Sequence, residues 1–85
     1  MITGMQVRAA KALLNWSGTD LSQRAGVGLS TVRRIEACDG LLITASIKVL
    51  QAIQAALEAG GVEFVGTPED RPGVRLNKWG AYDPI

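Results

Sequence analysis

The stretch SGTDLSQRAGVGLSTVRRIE, residues 17 to 36, holds two short runs of helical apolar spacing broken at Gly26. Leu21 and Ala25 share one side of the first run, and Val32 and Ile35 share one side of the second. Helices this short do not persist in isolation, so each needs a neighbour to cover its apolar side. The link is only Gly26, Val27 and Gly28, which makes each helix the other's neighbour and forces them to cross closely. Close crossing asks for small side chains at Ser22 and Ala25 and for positive φ at Gly26. It also asks for apolar side chains at Leu21, Val27, Val32 and Ile35 to fill the angle between the helices. The residues present meet all of these demands together.

The same reasoning extends along the chain. Thr3 caps a first helix from Gly4 to about Asn15, with Gln6 at the capping-box position and Val7, Ala10, Leu13 and Leu14 on a shared face. Ser17 caps the second helix, with Asp20 three residues on, near the positive end of the helix. The third runs from Leu29 to about Ala37. A fourth and longest helix follows Thr44, carries Ile47, Leu50, Ile53 or Gln54, and Leu57 at helical spacing, and ends at Gly60 and Gly61. Alternation in Val62 to Val65 and again in Val74 to Leu76, around the turn-forming GTPEDRPG, predicts a small hairpin. The final NKWGAYDPI has no clear period, and Trp79 and Tyr82 are its candidate anchors.

At 85 residues, with 47% hydrophobic and 20% charged residues, the chain is expected to fold as one small globular unit that would gain from docking on a second copy. The single cysteine, Cys38, and the absence of histidine leave no internal disulfide and no zinc pattern, which suits a reducing compartment. No signal-like N-terminus and no apolar run of about 18 residues is present, so a soluble cytoplasmic protein is expected. No nucleophile, base and orienting group assemble from this composition, so neither an enzyme nor a cofactor or metal site is expected.

Net charge is +1, but it is unevenly spread. Residues 1 to 35 carry five cations against Asp20, a net +4, and the remainder carries four cations against seven acids, a net −3. The basic half contains Arg33 and Arg34, side by side on the third helix. Neighbours on a helix are about 100° apart, so the two guanidiniums point in different outward directions.

Taken together, LLNWSGTDLSQRAGVGLSTVRRIEACDG resembles the DNA-binding domain of the phage-repressor and Cro-like, or XRE, family of bacterial regulators, over about residues 3 to 59. The resemblance implies a mainly α, four- to five-helix lambda-repressor-like helix-turn-helix domain in residues 1–60. Residues 61–85 would add a small C-terminal β-hairpin and tail, a candidate dimerisation element. It implies a transcriptional regulator, repressor or dual-acting switch, binding an inverted-repeat DNA operator as a homodimer, with the third helix in the major groove. Leu29, Ser30 and Arg34 match base-reading positions, and Ser17, Thr19, Gln23, Thr31 and Arg33 lie toward the phosphates. Lys11 and Glu36 match an ion pair joining the first helix to the third. Trp16 would close the corner between the first two helices.

The chain departs from the family at Gly18, read as an exposed first-turn position where glutamine is common, and at Gly28, where serine or threonine is common. It departs again at Leu41 to Ile43, where relatives carry basic residues. Each lost phosphate contact lowers affinity and salt dependence. A rival reading keeps the scaffold and changes the partner, giving a protein-binding antitoxin or anti-activator.

Overall fold

The computed structural model describes residues 2–39 and 46–77. Four helices and one hairpin are present among them: α1 (Gly4–Leu14), α2 (Gly18–Ala25), α3 (Leu29–Glu36), α4 (Ile47–Gly60), β1 (Val62–Thr67) and β2 (Asp70–Leu76). The protein is therefore mainly α with a C-terminal antiparallel hairpin. Among the described residues no helix is long and apolar enough to cross a membrane.

The caps explain the boundaries. Thr3 and Gln6 form a reciprocal capping box at the start of α1, and Asn15 ends that helix in the left-handed conformation. Ser46 caps α4, its hydroxyl accepting from the Val49 amide, so α4 starts at Ile47. Thr44, Leu41 to Ile43, Trp79 and Tyr82 lie outside the described residues.

One core unites the elements. Val7 and Ala10 of α1, Leu21 of α2, Val32 and Ile35 of α3, and Leu50, Ile53 and Leu57 of α4 are buried together with Ile2 and Val62. At about 100° per residue, Leu14 falls on the same side of α1 as Val7 and Ala10, and Leu13 falls about 100° round from it. Leu14 packs against the core, whereas Leu13 is exposed, which corrects the shared face expected for it. Ile53 takes the core position in α4 and Gln54 is only half-buried.

The hairpin is longer than the sequence suggests. Its register pairs Val62 with Leu76, Phe64 with Val74 and Thr67 with Asp70, leaving Pro68 and Glu69 as the turn. An irregularity between Val65 and Thr67, together with left-handed Arg71, carries β2 through the turn-forming DRPG. Phe64 and Val74 pack on the core, and Glu63 and Arg75 form a cross-strand ion pair on the outward side. Gln6 locks the hairpin to α1: its side-chain amide donates to the carbonyls of Val65 at 3.3 Å and Gly73 at 2.9 Å, while its oxygen accepts from the Thr3 amide.

Gly4 sets the distance between α1 and α3. A Cβ there would overlap the carbonyl oxygens of Cys38 and Ile35, rigid backbone atoms at the C-terminal end of α3. Gly4→Ala is expected to destabilise the fold by about 2 kcal/mol or more, because backbone must move to admit the methyl. A lower urea midpoint at unchanged slope is the expected readout.

Candidate nucleic-acid interface

α2 and α3 meet as their sequence demands. Gly26 is left-handed, with φ 70° and ψ 31°, and its amide and that of Val27 both donate to the Ser22 carbonyl. Leu21, Val32 and Ile35 are buried, with Ala25 and Val27 packed against them. Ser22 is more than a small residue here: its hydroxyl donates to the Val27 carbonyl at 2.5 Å and ties the two sides of the turn together. Gly28 caps α3 through its backbone conformation alone, with no side-chain hydrogen bond.

The N-terminus of α2 is satisfied from within. The Ser17 hydroxyl accepts from the Asp20 amide at 3.0 Å, and the Asp20 carboxylate accepts from the Ser17 amide at 2.9 Å. That amide, with help from the Ser17 hydroxyl and the charge of Arg24, holds the Asp20 carboxyl below its usual range. Its folded value being the lower one, the cap contributes at neutral pH and is lost as the pH falls through that lowered value. Ser17 is thus engaged in capping, and the Asp20 charge stands close to the amides that would meet a phosphate.

Gly18 is half-buried, not exposed as the sequence suggests. A Cβ there would sit 3.5 Å from both the Glu36 carboxylate and Leu29 Cδ1, ordinary contact distances. Leu29 consequently leans back toward the start of α2 and is half-buried. Thr19, Gln23 and Ser30 are exposed, and Thr31 is half-buried.

The cations divide into two groups. Lys11 Nζ pairs with Glu36 at 2.5 Å, with side chains only 17% and 15% exposed, so the expected link between α1 and α3 is present and largely shielded. Arg8 makes a second link: Nη1 donates to the Glu36 carbonyl and Nη2 to the Asp39 carboxylate at 2.7 Å. A guanidinium at this place both satisfies an orphan carbonyl and opposes the negative end of α3. Arg24 lies over the Trp16 ring, 4.4 Å from its centre, and the far edge of that ring stands where a Cβ on Gly60 would collide. Trp16 therefore closes a corner that includes the end of α4 as well as α1 and α2. Arg33 and Arg34 are exposed and make no hydrogen bond or ion pair among the described residues.

The roles of Arg8 and Arg24 escaped the sequence reading. For Arg8 a signal existed: it stands three residues before Lys11, on the same side of α1. The chain matches no family model and no curated protein.

Lys11→Met is expected to cost about 1–3 kcal/mol, since it leaves the Glu36 carboxylate shielded without its partner. The double variant Lys11→Met/Glu36→Leu is expected to recover most of that loss in denaturant unfolding, because the lone charge goes with its partner.

Proposed function

We propose that the protein is a sequence-specific DNA-binding transcriptional regulator of the helix-turn-helix kind, acting as a homodimer on an inverted repeat with α3 in the major groove. The observation that carries this reading is the division of the cations. Of the five in residues 1–35, Arg8 and Lys11 are paired with acids and Arg24 lies over the Trp16 ring, whereas Arg33 and Arg34 stand together on the outer side of α3 with no partner among the described residues. Two guanidiniums held out from a rigid helix suit anionic duplex DNA, because one can fork onto a guanine while its neighbour neutralises a phosphate.

The surroundings fit the same role. Ser30 and Thr31 supply hydroxyls beside the arginines, and Thr19 and Gln23 reach outward from α2. Leu29, half-covered by α2, keeps an apolar edge that can press on a thymine methyl. Glu36 is the acid of α3, and Lys11 neutralises it.

Arg34→Ala is expected to cost about 1–3 kcal/mol of specific binding and to relax preference at one base of each half-site. Arg33→Ala is expected to weaken all sequences alike and lower the salt slope by about one per subunit. Gel shifts with fragments flanking the gene, at low and physiological salt, read both. Equal non-specific losses at the two positions would remove base reading from the pair, and a folded protein with no DNA affinity at low salt would favour the protein-binding antitoxin or anti-activator.

A further inference from the structure

The solvent side of α1 carries no polar side chain. At about 100° per residue, Gln6, Val7, Ala10 and Leu14 face the core and hairpin, while Gly4, Arg8 and Lys11 face α3. The remaining arc holds Met5, Ala9, Ala12 and Leu13, all exposed, Met5 by 47% and Leu13 by 43%. A helix that is apolar on its outer side as well as its inner side is expected to be covered in the assembled protein. The hairpin extends the patch. Gln6 holds the Gly73 carbonyl at the start of α1, and the Asn77 amide donates to the Gly61 carbonyl beside the α4 end that lies against Leu14 and Trp16. β2 therefore runs along α1 and brings the exposed Leu76 to its Leu13 end.

We propose that this stripe is the seam of a homodimer, α1 packing antiparallel on α1 of a second copy and crossing it at Ala9. The pattern is self-complementary. Met5 and Leu13 lie at equal distance on either side of Ala9, so a two-fold axis there sets Met5 of each copy against Leu13 of the other, and the small Ala9 and Ala12 let the helices approach closely. The charge pattern agrees. Lys11 is neutralised by Glu36, and Arg8 and Asp39 form a neutral pair at the rim with side chains 41% and 78% exposed. Such a pair can be exchanged between copies, where two unpaired cations would repel. Antiparallel pairing also turns the α3 flank of both copies toward the same end of the two-fold axis, as binding to a single duplex requires.

One three-turn helix covers less than the ~800 Å² per partner of a standard interface, so the dimer is weak and concentration-dependent when free. The proposal rests on the homodimer of the proposed function and assigns its seam to α1 in place of the hairpin edge.

Sedimentation of the full chain without DNA tests it, from about 10 to about 500 μM. The wild type is expected to self-associate across this range, and Ala9→Glu to weaken association at least tenfold with the helical spectrum and melting of the dilute monomer unchanged. In a Cys38→Ser background, Ala9→Cys is expected to link into covalent dimers on mild oxidation, whereas Ser30→Cys, exposed on α3, is not. A wild type that stays monomeric throughout overturns the proposal. So does a dimer that is indifferent to Ala9→Glu and is not trapped by Ala9→Cys. Because no DNA enters either measurement, failure here is distinct from failure of the DNA-binding reading.

Discussion

What α3 can present depends on how α1 grips its C-terminal end. Three residues on one side of α1 do this in different ways. Gly4 brings the backbones together, Arg8 holds the Glu36 carbonyl and the Asp39 carboxylate, and Lys11 meets the Glu36 side chain in a shielded pair. A shielded pair does more for orientation than for stability, since desolvation offsets much of its attraction. The grip leaves the outer side of α3 open, where Ser30 near its start and Arg33 and Arg34 in its last turn reach solvent. An eight-residue helix would fray alone; bound at one end and packed through Val32 and Ile35, it becomes a rigid arm.

The electrostatics follow from that grip. Two of the five cations of the basic N-terminal half, Arg8 and Lys11, are paired with acids in holding the fold, and Arg24 lies over the Trp16 ring. Without any partner among the described residues stand Arg33 and Arg34, while the start of α2 is already capped by Asp20. A site of this kind gains less from counterion release than a broad basic patch and depends more on the geometry of the few contacts it makes.

Local chemistry made much of the fold legible. Caps at Thr3 and Ser17, the left-handed Gly26 and the apolar pairs of α2 and α3 are all decided within a few residues, so spacing alone places them. Errors arose where distant parts decide. Gln6 reads as a capping residue, yet its amide also clamps carbonyls 59 and 67 residues away. Gly18 reads as an exposed helix start until α1 and α3 close over it. Leu13 and Leu14 are the same residue type side by side, and Leu14, on the side of Val7 and Ala10, is the one that packs on the core near the end of α4. The strand through Asp70 to Gly73 is hidden because residues that favour turns also tolerate a bulge. Within the candidate site, the exposed arginines were foreseen, whereas the internal engagement of Arg8 and Arg24 needed the fold.

The central claim is that α3, held at its far end by α1, offers its outer side to DNA. Titrating isotope-labelled protein with a short duplex at low salt and following the backbone amides tests it most directly. The account predicts shifts concentrated at Ser30 to Arg34 and at Thr19 and Gln23, with Glu63 and Arg75 on the hairpin unmoved. Shifts centred on the hairpin, or none at saturating duplex, would contradict it.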